Sequence, residues 1–155
     1  MAKLSRRENL LAKMAAMPPA VRSAIRQALA EGADMIADEA RRLAPKDTGK
    51  LRDSIKQTWG GGKARYSSLA GGTDGGGDPD LTVIISAGNS GVRYAHLVEF
   101  GTAPHLNGGL FAGSRHPGTA PQPFFYPAYR ANRRRVKARI SRATTRAVKK
   151  VVAGS

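Results

Sequence analysis

Residues 18–45 read Pro-Pro-Ala-Val-Arg-Ser-Ala-Ile-Arg-Gln-Ala-Leu-Ala-Glu-Gly-Ala-Asp-Met-Ile-Ala-Asp-Glu-Ala-Arg-Arg-Leu-Ala-Pro. Within them Val21, Ile25, Ala28, Leu29, Gly32, Ile36, Ala40 and Leu43 recur at steps of three or four, with Arg22, Arg26, Glu31, Asp34, Asp38 and Arg41 mostly off that face. A repeat of this period over several turns predicts one long amphipathic helix. Pro18-Pro19 marks its start, because a proline in the first turn gives up no hydrogen bond, and Pro45 stops it. Far downstream Tyr129, Val136, Ile140, Ala143, Ala147 and Val151 share one side at spacings of three, four and seven. They predict a last helix beginning after Pro127, with arginine and lysine filling its other positions. Ahead of both, residues 5–17, with Leu10, Leu11, Met14 and Met17, predict an N-terminal arm or short helix.

The segment between the helices reads as small strands and loops. Asp47, Thr48 and Gly49 predict a turn, the first two by bonding nearby backbone and the glycine by accepting a positive φ. Leu51, Ile55 and Trp59 share parity, which predicts a half-buried strand from Leu51 to the glycines at 60–62. Residues 60–80 form a long glycine-rich loop, with a strand at Tyr66 and Leu69 on its first arm. Leu81–Ala87 is a strand by its β-branched content, and Gly88–Gly91 turns the chain. Tyr94–Thr102 fits either period and is read as a short helix. Residues 103–122, rich in proline and glycine, are a second long loop. The expected fold is α+β in one domain, residues 1–155: a long N-terminal helix, a small antiparallel sheet with long glycine-rich loops, and a basic C-terminal helix.

Bulk composition narrows the function. Apolar residues make up 41% of the chain and aromatics only 6%, so the core is built from aliphatic side chains and alanine. There is no cysteine, which excludes disulfides, thiolate zinc sites and cysteine nucleophiles. No apolar run approaches the ~20 residues of a membrane span, and no secretory leader is evident. These features predict a soluble product made in the cytoplasm. The net charge is +15, and residues 127–155 carry ten of the basic residues and no acid. Such a segment attracts polyanions by counterion release.

Catalysis finds no foothold. The 60–80 loop lacks the Gly-Lys-Ser/Thr ending and following helix of a phosphate loop. His96, Glu99, His105 and His116 lack the spacing of a metal site, and the histidines read as turn or surface residues. No serine sits in Gly-x-Ser-x-Gly. Asp78 and Asp80 flank a proline in a flexible loop, a poor place to hold two carboxylates at fixed geometry. The expectation is no enzyme, no cofactor and no metal. Glu99, between Val98 and Phe100, calls for a partner, and Arg93, Arg115 or a final-helix arginine are the candidates, within the chain or across a subunit boundary.

Three blocks, in order, resemble the tail-completion or head–tail joining proteins of long-tailed bacteriophages and gene transfer agents. The first is Ala44, Pro45, Thr48, Gly49, Leu51, Ser54 and Ile55. The second is Tyr94, Ala95, Val98, Glu99, Phe100, Gly101 and Thr102. The third is Pro123, Phe124, Pro127 and Ala128. Each block alone is common; the ordered set is specific, and with the flanking helices it covers most of the chain. The resemblance implies a non-enzymatic neck-ring subunit, commonly sixfold, located in the virion. Its partners would be copies of itself, a head-closure or adaptor ring on one side and a tail terminator or tail tube on the other, with DNA passing through the lumen and no membrane. A tail terminator and a small basic nucleic-acid-binding protein are the alternatives. The two long loops are expected to dock between rings. The basic face (Arg130, Arg133, Arg134, Arg135, Arg139, Arg142 and Arg146) is expected to meet an anionic partner. An acidic protein is preferred to DNA, because a conduit that gripped DNA tightly would hinder its exit.

Overall fold

A computed structural model of the chain describes residues 16–60 and 78–153. The short helix expected at 5–17 lies almost wholly outside the described residues, as does the strand at Tyr66 and Leu69. In chain order the elements are α1 (Pro19–Leu43), α2 (Lys50–Asp53), β1 (Lys56–Trp59), β2 (Val83–Ser86), α3 (Ala95–Phe100), β3 (His105–Leu106), a 3-10 turn (Gly109–Phe111), β4 (Arg115–His116) and α4 (Phe125–Ala153). The class is α+β, with the long helices at the two ends of the chain.

Helix α1 starts where its sequence directs. Pro19 occupies the first turn, and the Pro18 carbonyl accepts from the N–H groups of Val21 and Arg22. At the other end Ala44 turns extended while its N–H still reaches the Ala40 carbonyl. The buried face is Val21, Ile25, Ala28, Gly32, Ala33, Ile36, Ala37 and Ala40, close to the expected row. Leu29 and Leu43 are half-buried at its margins.

Helix α4 packs antiparallel to α1. Gly32 lies beside Val136, Glu31 beside Arg139, and the Ala20–Ala24 turn faces Ala143–Val151. Gly32 costs a helix about 1 kcal/mol relative to alanine, so its position in mid-helix needs a reason. A Cβ there would stand 2.6 Å from Val136 Cγ1, closer than carbon atoms approach. The glycine lets the two backbones close on a β-branched side chain that has no free rotation to move aside. Tyr129, expected on the packed face, is 45% exposed. Ala128 takes the closest position instead, in the same cluster as Ala37, Ala40 and Ala44, where small residues let the helices approach.

The strand expected from Leu51 begins only at Lys56. Gly49, at φ +77°, turns the chain into the four-residue α2, where Leu51 is buried. Thr48 is exposed and α2 has no side-chain cap, so the backbone bonds expected of Asp47 and Thr48 play no capping role there. The strand pair β1–β2 is antiparallel, in the register Lys56↔Ser86 to Trp59↔Val83, and lies against α1. Ser54 ties α2 to the strand exit: its hydroxyl donates to the Leu51 carbonyl and accepts from the Gly88 N–H, fully buried.

Residues 103–122 are not a bare loop. They carry the hairpin β3–β4, with His105 opposite His116 and their rings stacked at 4.9 Å. At its base Thr102 and Thr119 exchange both backbone hydrogen bonds. Asn107 and Ser114 close the ladder toward the tip with backbone and side-chain bonds.

Candidate assembly site

The three sequence blocks converge on one place. Ala44, Leu51 and Ile55 of the first, Ala95 of the second, and Phe124 and Ala128 of the third share a buried cluster with Ala37 and Ala40 of α1. Phe124 and Ile55 are its largest fully buried side chains. Pro45 and Val98 are half-buried around it. These residues are spent on holding the fold together rather than on a surface site.

Glu99 organises this junction. Its side chain is buried, and one carboxylate oxygen accepts from the backbone N–H groups of Phe124 and Phe125 at 2.8 Å each, the other from that of Tyr126 at 3.0 Å. The first four N–H groups of an α-helix have no partner within it. For α4 these belong to Phe124, Phe125, Tyr126 and residue 127, and residue 127 is proline, which has none. Glu99 and Pro127 together therefore account for every orphan donor at the start of the helix. The negative carboxylate also faces the positive end of the helix dipole. The arginine expected to pair with Glu99 is not its partner: among the described residues no cation forms an ion pair with it. The helix begins at Phe125 rather than after Pro127, and the proline sits inside the first turn, where a missing N–H is harmless.

Gly101 and Thr102 hold the segment that presents Glu99. Gly101 adopts φ +73°, and a Cβ there would stand 2.5 Å from the Thr119 carbonyl oxygen and 2.9 Å from the Pro121 nitrogen. Only glycine allows the two backbones to meet at the Thr102–Thr119 bridge. Gln122 N–H donates to the Val98 carbonyl, a further tie between the segment after the hairpin and the last turn of α3. The Thr102 hydroxyl is buried without a hydrogen-bond partner among the described residues. Sequence reading alone identified the Phe-Gly-Thr block but not the reason for its glycine, which depends on a chain segment nearly twenty residues away.

Beyond the junction, the surface is unusual for its exposed apolar side chains. Leu110 at the hairpin tip is 99% exposed and Phe111 72%, with Leu106 beside them. Phe100 meets Tyr126 at 5.8 Å between ring centres, and both are exposed, as are Tyr94, Leu97 and Tyr129. Pro123 is also exposed. The basic residues of α4 form the third surface. Arg130, Arg133, Arg134, Arg135, Arg139, Arg142 and Arg146 are all exposed, and Arg139 alone of them reaches an acid among the described residues, Glu31.

Asp78 and Asp80 are held in fixed geometry, contrary to expectation. Arg22 Nη2 donates to Asp78 at 2.8 Å and to Asp80 at 3.2 Å, and Arg26 donates to Asp80 at 2.8 Å while lying over the Trp59 ring. The Arg22 guanidinium holds the Asp78 carboxyl below the ordinary carboxylate range, with help from the Asp80 N–H and against the pull of desolvation. The clamp fastens the exit of the glycine-rich segment to the start of α1. The i, i+4 spacing of Arg22 and Arg26 opposite Asp-Pro-Asp was its one sequence signal. His96 is exposed on α3, His105 and His116 stack on the hairpin, and Glu99 is buried in the junction, so the four do not meet.

Over residues 8–101 the chain matches the model of a family described as Bacteriophage HK97-gp10, putative tail-component. The chain belongs to this family of phage tail components. The matched span covers α1, the strand pair and α3, and ends within two residues of Glu99. Glu99 then reaches out of the matched span to start α4, so the C-terminal helix is fastened to the family's portion by that carboxylate. A phage tail component is a structural protein of the virion and assembles with other tail or head proteins. No curated protein and no solved structure matches the chain significantly.

Proposed function

We propose that the chain is a non-catalytic ring subunit of the phage neck, which joins the DNA-filled head to the tail. Copies of the chain, as a hexamer, would sit between a head-closure or adaptor ring and the tail terminator or tube. The observation that carries this reading is the apolar hairpin tip. Leu110 and Phe111 stand clear of the core on a turn braced by Asn107 and Ser114. Leu106, Leu110 and Phe111 are exposed on one hairpin, and a contiguous exposed apolar patch is the kind of surface that marks a contact with a partner. A closed ring built from head-to-tail contacts requires two different surfaces on each subunit, and among the described residues the hairpin tip and the Phe100–Tyr126 cluster are two distinct exposed apolar surfaces. Each of the three sequence blocks sends residues into the core (Leu51 and Ile55, Ala95, Phe124 and Ala128), which fits a subunit whose specificity resides in its outer loops.

The test is electron microscopy of particles from a genome in which a stop codon replaces Lys3. Filled heads lying apart from finished tails are the expected result. Tails of uncontrolled length would assign the terminator role instead, and normally tailed particles would overturn both.

A further inference from the structure

We propose that the arginine stripe Arg135, Arg142, Arg146 and Lys149 on α4 binds the phosphate backbone of double-stranded DNA without regard to sequence. At 100° per residue these four positions fall within about 60° of arc, and at 1.5 Å per residue they span about 21 Å of the helix. All four are exposed, and none has an ion-pair partner among the described residues. Nearly all of the acids among the described residues are already committed. Glu31, Asp38, Glu39, Asp53, Asp78 and Asp80 are in ion pairs, Asp34 accepts from Gln57, and Glu99 caps α4. Of the described acids only the exposed Asp47 is left, so the described part of a second copy offers the stripe little free negative charge.

The choice between DNA and an acidic protein rests on what lies among the cations. A protein interface has a core of aromatic and apolar anchors, with charge at its rim. From Arg130 to Ala147 helix α4 exposes no large apolar side chain, its exposed uncharged positions being Ala131, Ala138, Ser141 and Thr145, and Val148 is the one large apolar residue exposed within the span of the stripe. A surface of long cationic side chains over small residues suits a phosphate backbone and lacks the anchors a protein partner would use. Exit of DNA through a conduit is no obstacle. Contacts to phosphate alone are equivalent at every position along the duplex, which is why proteins bound in this way slide. The neck reading bears only on where the chain meets DNA; binding itself is measured on the isolated chain, so the two proposals fail by different results.

The test is fluorescence anisotropy of the full chain with a labelled 20-base-pair duplex of arbitrary sequence, from 50 to 300 mM NaCl. The expected result is binding whose logarithmic affinity falls linearly with the logarithm of salt. The triple variant Arg135→Gln, Arg142→Gln, Arg146→Gln should weaken binding at least tenfold at 100 mM NaCl and make the salt slope shallower by about 2 to 3. Lysine at the same three positions should keep most of the affinity, which separates charge from folding. The variant Lys46→Gln, Lys50→Gln, Arg93→Gln removes the same charge elsewhere and should bind within about threefold of the parent chain. Three outcomes would overturn the proposal: no duplex binding at 50 mM NaCl, equal losses in the two glutamine variants, or displacement of the duplex by poly-glutamate at an equal concentration of charge. The last would assign the stripe to an acidic protein.

Discussion

Helices α1 and α4 lie side by side with similar lengths and opposite electrostatic designs. Helix α1 carries four arginines and four acids, and every one of them has a partner: Arg22 and Arg26 clamp Asp78 and Asp80, Asp38 and Glu39 pair with Arg41 and Arg42 one turn on, Asp34 meets Gln57, and Glu31 meets Arg139. Helix α4 has ten cations and no acid. It borrows two carboxylates, Glu99 at its first turn and Glu31 part-way along, and the remaining cations face outward. Five like-charged pairs at i, i+4 (130/134, 133/137, 135/139, 142/146 and 146/150) each cost a few tenths of a kcal/mol. The lesson is that charge on α1 serves the fold, whereas most of the charge on α4 opposes it, which is what the proposed DNA-binding role of that helix would require.

The borrowed carboxylate at the start of α4 is where that contrast breaks most easily. Glu99→Ala leaves three backbone N–H groups without an acceptor, that of Phe124 buried and those of Phe125 and Tyr126 part-buried, and should cost about 3–5 kcal/mol, a large share of the total stability of a domain this size. Urea denaturation measures the loss, and hydrogen exchange should quicken first at Phe124, Phe125 and Tyr126. Glu99→Gln keeps one acceptor and should fall in between. Next in size is Gly101→Ala, which forces a side chain onto the Thr119 carbonyl at a positive φ and should cost about 2–3 kcal/mol. Gly32→Ala comes third: helix propensity favours it by about 1 kcal/mol, but the clash with Val136 outweighs that, for a net loss of about 1 kcal/mol. Adding Val136→Ala should recover part of it, and the double-mutant cycle reads the coupling directly.

The smallest of these effects is a pH dependence confined to the α1 side. The Asp78 carboxyl is held low by Arg22, and Glu39 by Arg42. A depressed folded-state value means that their contribution is fully present above the ordinary carboxylate range, about pH 4, and is lost as the pH falls through the lower folded values. The urea midpoint should therefore drop below about pH 4, and Asp78→Asn should make that drop shallower.

The long helices were legible because a 3.6-residue repeat over six or seven turns has no competing explanation. The start of β1 was not. Leu51 and Ile55 are four apart, a spacing that satisfies both strand parity and one helical turn, and Gly49 decided for the turn. The hairpin within 103–122 was hidden by its glycines and prolines, since its register rests on Thr102 pairing with Thr119 rather than on a run of strand-forming residues. Glu99 was recognised as a carboxylate in need of a partner, but its partners are main-chain N–H groups, which no side-chain pattern reveals. The Asp78–Arg22 clamp went unread for a related reason: a glycine-rich surrounding says nothing about a salt bridge across more than fifty residues.

The contrast between the two helices is tested most directly by one pair of urea melts at pH 7 and low salt. The chain carrying Asp78→Asn and Asp80→Asn is compared with the chain carrying Arg135→Gln, Arg142→Gln and Arg146→Gln. If charge on α1 holds the fold and charge on α4 awaits a partner, the first midpoint falls and the second stays level or rises as repulsion is relieved. A second midpoint that falls as far as the first would show that the α4 arginines hold the fold themselves, and would contradict the account.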